Sequence, residues 1–334
     1  MSKKILLIGG AGYIGCVLTR YFLDKDYLIT SLDNLIYKND QTFEQFKSHK
    51  NFKFILGDLR NQSLMGDLLD ECDFCIILAG LVGDPITKKY PDLAESINYN
   101  GISNIINLSL KKKINKFIFV STCSNYGLNE TDELLKENAE LKPLSLYAKH
   151  KVAIEKKILS LKGESFFSPT ILRFSTAFGL SSRMRFDLTI NQFTKSIFQK
   201  EKLVVFDANT WRPYCHVKDF ARALETVLLA TKKNTEYQVF NVGGDTNNYT
   251  KKQIVEKISR FIPNKEVEFT NKTQDARNYK VDFSKIKKIL NFEIKYSVED
   301  GIKEIIEYLK KNKINEDKKN SKYGNYVIGE SNAN

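Results

Sequence analysis

The chain has 334 residues, 42% of them hydrophobic and 28% charged, and a formal charge of +12. That length and balance suit one large α/β domain, or a domain with a smaller lobe, and give ample material for a core. No apolar run of about 18 residues is present to span a bilayer, and MSKKILLIGG lacks the charged, apolar and cleavage regions of a signal peptide. A cytoplasmic protein with no membrane contact is therefore expected.

In chain order, KILLIG (4–9), YLITSLD (27–33), FKFILGD (52–58), DFCIILAG (73–80), KFIFVST (116–122) and SPTILRF (168–174) are short, bounded apolar runs, the pattern of parallel strands covered on both faces. Helical stretches alternate with them near 12–25, 61–70, 92–110 and 144–161. The alternation predicts right-handed βαβ crossovers in one doubly wound parallel sheet, a Rossmann-type α/β fold over residues 1–180. Beyond residue 180 short strands (LVVF, QVFNV, VEF) mix with helices at 187–200, 217–232, 250–262 and 298–311, which suggests a smaller mixed α/β lobe over 181–311, interleaved with the first. Residues 312–334 are polar and aperiodic and read as a loose tail.

Five cysteines (Cys16, Cys72, Cys75, Cys123, Cys215) form no disulfide framework, and the Cys72/Cys75 pair has neither a second pair nor a nearby histidine, so reduced thiols and no metal are expected. The lysines are scattered over helix faces and the tail. Clustered arginines interleaved with aromatics, the mark of a nucleic-acid binder, are not found, and the positive field suits an anionic small substrate.

The first strand runs into GGAGYIG, in which Gly9, Gly12 and Gly15 stand three residues apart before a helix. Glycines allow a tight turn and close backbone approach, and the free N–H groups of a helix start, here including Tyr13 and Ile14, attract a diphosphate. Asp33 ends the second strand, where a carboxylate would accept hydrogen bonds from an adenosine ribose and repel a 2′-phosphate, so NAD is favoured over NADP. Asn34 follows it. Asp58 and Leu59 after the third strand offer an adenine contact, and Ala79-Gly80 after the fourth admits the cofactor backbone-close. LYAKHK (146–151) puts Tyr147 and Lys151 one helical turn apart on one face.

Taken in order, these features resemble the extended short-chain dehydrogenase/reductase family, specifically its NAD-dependent nucleotide-sugar epimerases and dehydratases, over about residues 3–310. STCSNYG (121–127) is similar to the family's strand end Ser-Ser/Thr-x-x-x-Tyr-Gly, LRFSTAFG (172–179) to its Leu-Arg-x-x-Asn-x-Tyr-Gly, and WRPYCHVKDFARA (211–223) to its Arg-x-Tyr-x-His-Val-x-Asp. The resemblance implies that Thr122 hydrogen-bonds the reacting hydroxyl, that Tyr147 takes its proton, and that Lys151 lowers the phenol's pKa and holds the nicotinamide ribose. Asn100, ahead of Asn98, is assigned to the cofactor side. Arg212 and Arg277 match family arginines that pair with a nucleotide diphosphate, and Arg183 and Arg185 lie where the family holds the base or phosphates. A homodimer through the helices at 92–110 and 144–161 is also implied.

Two departures narrow the reaction. Where the dehydratases carry Asp-Glu after the Thr, this chain has Cys123 and Ser124, which do not replace an acid and a base for eliminating water. Thr176 stands where many relatives have an Asn on the substrate phosphate. The expectation is oxidation at C4 of a nucleotide-diphosphate sugar in bacterial surface polysaccharide biosynthesis. Two outcomes stay open: 4-epimerisation, or net dehydrogenation of a GDP-heptose-type sugar. A catalytically silent NAD-binding regulator would be expected to lack Tyr147 or Lys151.

Overall fold

The computed structural model describes residues 3–112, 114–129, 132–163, 167–263, 266–270, 277–312, 314, 323–326 and 328. Seven strands, β1 (Lys4–Ile8), β2 (Leu28–Asp33), β3 (Phe52–Leu56), β4 (Phe74–Ile77), β5 (Lys116–Thr122), β6 (Pro169–Phe174) and β7 (Gln238–Val242), form one sheet in the order β7-β6-β5-β4-β1-β2-β3. All of its pairings are parallel. The inner strands are rich in Ile, Leu, Val and Phe because both faces are covered; β4, β5 and β6 are buried throughout.

Alternate residues serve the two faces. Ile5 and Leu7 of β1 pack with Leu18 and Phe22 of α1 (Tyr13–Leu23) and Phe220 and Leu224 of the helix Val217–Leu229. Leu6 and Ile8 pack on the other side with Met65 and Leu68 of α2 (Gln62–Asp70), Ile102 and Ile105 of α3 (Ile102–Ser109), and Ile154 and Ile158 of α4 (Leu146–Ser160). Strand order reverses between β1 and β4, so the loops leaving their C-terminal ends diverge and open a crevice.

A third core gathers the helices Thr189–Phe198, Lys251–Ser259 and Val298–Lys311 through Ile190, Phe193, Ile254, Ile302 and Ile305. Small sheets flank it, with Trp211–His216 between Thr176–Phe178 and Asn248–Thr250, and Leu203–Phe206 beside Val267–Thr270. QVFNV, read with the strands of the later region, is the edge strand β7 of the large sheet, parallel to β6. Of the segment beyond residue 312, Ile314 and Ile328 are buried, and the Tyr323 carbonyl accepts a hydrogen bond from Phe186 N–H at 2.7 Å. Among the described residues no helix is long and apolar enough to cross a membrane. All five cysteines are free thiols.

Candidate active site

A cleft of about 460 Å³ opens at the C-terminal ends of the strands and is walled on its far side by residues 174–177, 183, 185, 187–189, 212, 251, 277 and 279. Its volume is that of an ordinary ligand site. At its floor Gly9 has φ +87°, and a Cβ there would lie 2.6 Å from the Ala79 nitrogen. A Cβ on Gly15 would strike the Gly10 carbonyl at 2.4 Å, so this glycine lets α1 start against the turn. Gly12 differs, since its Cβ would meet only the Gly9 carbonyl oxygen at 3.3 Å. Gly12 is also the N-cap of α1, no side chain caps that helix start, and no acid stands in its first turn. This open, uncapped helix start fits a diphosphate. Tyr13 and Ile14 both line the cleft, and the Tyr13 hydroxyl donates to the Gly179 carbonyl at 2.6 Å.

Asp33 accepts from Ala11 N–H and Leu35 N–H, both at 2.9 Å, one on each carboxylate oxygen. Burial raises its pKa, and those two bonds oppose the rise. The same carboxylate that faces the cleft therefore also fastens the glycine turn to β2. Asp58 accepts four hydrogen bonds, three from Arg60 and one from Asn34 at 3.0 Å. These donors hold its pKa low against the opposing effect of burial. Asp58 lines the cleft with its carboxylate engaged by these four donors. Leu59, Ala79 and Gly80 line the cleft.

Two assignments are corrected. Asn100 is exposed and does not line the cleft; Ile97 is the residue of the π-helical turn Ser96–Gly101 that does. Asn98 is buried and does not line the cleft either; it accepts from Leu81 N–H at 2.7 Å and donates to the Leu81 carbonyl at 3.0 Å, directly under Gly80. Cys123 does not line the cleft either. It is buried in the core with its thiol toward the Arg173 carbonyl at 3.2 Å, and burial pushes its pKa up. Thr122 ends β5 and caps the 3-10 turn Cys123–Tyr126; Thr122 and Ser124 line the cleft, whereas Cys123 enters the core.

At the chemical end Thr122, Ser124, Tyr147 and Lys151 line the same space. Ser145 caps α4 by accepting from Ala148 N–H, which sets Tyr147 in the first turn. Burial raises the Tyr147 pKa, with Arg185 and Arg277 lowering it and Asp84 raising it. Lys151 is buried, donates to the Val120 carbonyl at 2.7 Å and lies 5.8 Å from the Tyr147 ring centroid. Burial lowers its pKa to about 7, against a smaller opposite effect of Glu155. The expected depression of the phenol by Lys151 is thus outweighed by the burial of both groups.

Thr176 and the arginines form the opposite wall. Arg185 is held by Asp187 through two bonds, 2.8 and 2.6 Å, and Arg183 is buried over the Tyr37 ring. Arg212 donates to the Trp211 carbonyl at 2.7 Å and to that of Arg277, above the Tyr279 ring. Arg277 pairs with Asp84 at 3.6 Å and approaches Ser124 Oγ at 3.4 Å. Among the residues that sequence reading missed, Asp84, Asp187, Lys251 and Tyr279 also reach this cleft. Only Asp187 had a local signal, two residues after Arg185; the others arrive by tertiary folding.

The model for the NAD dependent epimerase/dehydratase family matches residues 5–243. The chain is 27% identical to a UDP-glucuronate 4-epimerase of Thermodesulfobacterium geofontis over 92% of this chain and 96% of that one. The solved UDP-glucuronic acid 4-epimerase from Bacillus cereus, in complex with UDP-glucuronic acid and NAD, has a TM-score of 0.82 at 23% identity, covering 92% of this chain and 99% of that one. The dTDP-glucose 4,6-dehydratase from Bacillus anthracis, in complex with NAD, has a TM-score of 0.81 at 24% identity over 93% and 97% of the two chains. The glycine cradle, the acidic end of β2 and the family match agree, and the chain belongs to the NAD-dependent epimerase/dehydratase family.

Proposed function

We propose that this enzyme oxidises C4 of a nucleotide-diphosphate sugar and returns the hydride to the other face, acting as a 4-epimerase that makes activated sugars for surface polysaccharide. The observation that carries this reading is the pairing of Thr122, Tyr147 and Lys151 in one cleft with no carboxylate at 123 or 124. Thr122 Oγ1 and Tyr147 would hold the C4 hydroxyl, and Tyr147 would take its proton as hydride leaves C4. NAD, when bound, supplies the hydride acceptor and a positive ring beside the phenol. Lys151 would donate to ribose hydroxyls, and Arg212 and Arg277 would meet the substrate diphosphate. No acid–base pair follows Thr122 to remove water across C5 and C6, which disfavours dehydration.

Incubation with UDP-, GDP-, CDP- and dTDP-sugars, heptoses included, with the product's ring stereochemistry and reduced-cofactor absorbance both followed, tests this. A C4-inverted sugar without lasting absorbance is expected. An accumulating ketose or reduced cofactor would mean net dehydrogenation, and a 4-keto-6-deoxy product would refute the reading of Cys123 and Ser124.

A further inference from the structure

Arg183 is 4% exposed, and among the described residues its Nη1 has no hydrogen-bond partner. Its other terminal nitrogen donates to the Gly324 carbonyl at 3.1 Å. No carboxylate pairs with it among the described residues, since Asp187 is engaged bidentately by Arg185 and the oxygens of Asp33 take Ala11 and Leu35 N–H. A buried guanidinium with an unsatisfied terminal nitrogen is costly even with Asp187 and Asp33 within electrostatic reach, and its planar fork matches a phosphate.

The loop that delivers Arg183 is stitched to the first residue of α1. Ser181 Oγ donates to the Tyr13 carbonyl at 2.7 Å, and the Tyr13 hydroxyl donates to the Gly179 carbonyl. Arg183 thereby stands on the cofactor side of the cleft, within electrostatic reach of Asp33 and Cys16. Arg212 and Arg277 gather at the other end, beside Ser124 and Tyr279. Residues near the C-terminus hold Arg183 there. Asn325 N–H donates to Asp187 at 3.2 Å, its side chain donates to the Val82 carbonyl at 3.4 Å, and Tyr323 packs on Phe186 with ring centroids 5.6 Å apart. This short segment bridges the loop after β4 and the loop carrying Arg183.

We propose that Arg183 is a cofactor-binding residue that clamps the NAD diphosphate against the start of α1, and that residues 323–326 are the latch that holds it in place. The proposal rests on the family's NAD dependence. It moves Arg183 from the substrate, where sequence reading put it, to the cofactor.

The test is calorimetric titration of cofactor-stripped protein with NADH, ADP-ribose and adenosine, for wild type, Arg183→Gln, Arg183→Lys, Asn325→Ala and a chain ending at Asn312, with circular dichroism to check folding. Loss of a charge-assisted pair should weaken NADH and ADP-ribose about tenfold or more in Arg183→Gln, with adenosine unchanged. The shortened chain should show a similar loss, to which Arg183→Gln adds little, and Asn325→Ala a smaller one. A folded Arg183→Gln protein with NADH and ADP-ribose affinities within about twofold of wild type, or with only the sugar-nucleotide KM raised, overturns the clamp. Equal loss of adenosine overturns the diphosphate assignment, and full affinity in Asn325→Ala and the shortened chain overturns the latch. Should Arg183→Gln not fold, Arg183→Lys and Asn325→Ala decide. Wild type that binds no NADH would overturn the family's cofactor for this chain as well, a result distinct from all of these.

Discussion

Tyr147 and Lys151 feel one environment with opposite consequences, because burial penalises the charged form of each: phenolate and ammonium alike. A base that starts as a neutral phenol depends on positive charge brought by the bound cofactor, so Tyr147→Phe should lower turnover by roughly 10²-fold or more with little change in NADH affinity. Single-turnover rates and NADH titration check both halves. Lys151 makes a separable prediction about pH. Its pKa falls from an ordinary 10.5 to about 7 on folding, so between those values the unfolded chain holds the proton that the folded one has released. Stability from this group therefore rises with pH from about 7 toward 10 and is smallest below 7. Melting temperatures of cofactor-free wild type and Lys151→Met across that window test this: equal pH slopes would mean that Lys151 has no such shift, and a wild type that falls relative to the variant would reverse the sign. The wild type should climb relative to the variant.

α4 is held at its place by a buried knot that no local pattern announces. Glu155, one turn beyond Lys151, accepts from Arg173 Nε and Nη2 (3.1 and 2.7 Å) and also from Ser121 and Asn125, tying the helix to β5 and β6. Glu155 is 2% exposed and Arg173 4%. Glu155→Ala would leave a buried guanidinium without its partner, and a loss of about 3–5 kcal/mol in urea unfolding is expected, against a much smaller loss for an exposed pair such as Lys47–Glu44. An unfolding midpoint close to wild type would show that the knot contributes little. The element itself was legible, as LYAKHKVAIEKKIL has helical spacing. Its partner residues were not, since Arg173 lies 18 positions away on a strand.

At the scale of the molecule, the cleft opens where the strand order reverses at β1 and β4, facing segments that pack on a third core. The dimer implied by the resemblance would use the outer face of α4 and the helices before it, where Leu144 and Leu159 stay exposed at 49% and 37% and His150 is joined to Glu95 at 2.7 Å. Sedimentation at micromolar concentration should give a dimer, and Leu159→Arg should shift it toward monomer by placing charge in an apolar contact. A wild-type monomer would contradict the assignment. Ile154 and Ile158, which also look apolar in the sequence, are spent inside the subunit against the sheet.

What the sequence by itself determined is what short-range chemistry dictates. Apolar runs and their alternation with amphipathic stretches specified the sheet; a glycine triplet between a strand and a helix, with an acid at the next strand end, specified the phosphate turn; and four-residue spacing placed Tyr147 and Lys151 together. Tertiary structure decided whatever depends on direction or on distant partners. The turn of the helical segment Ser96–Gly101 left Asn100 exposed and Asn98 bonded to Leu81, the turn after β5 put Cys123 into the core, and Gln238–Val242 crossed back to the large sheet. Asp84, Lys251 and Tyr279 joined the cleft from separate segments, and burial set the charge states there. A side chain's spacing is local, but its desolvation is a property of everything packed around it.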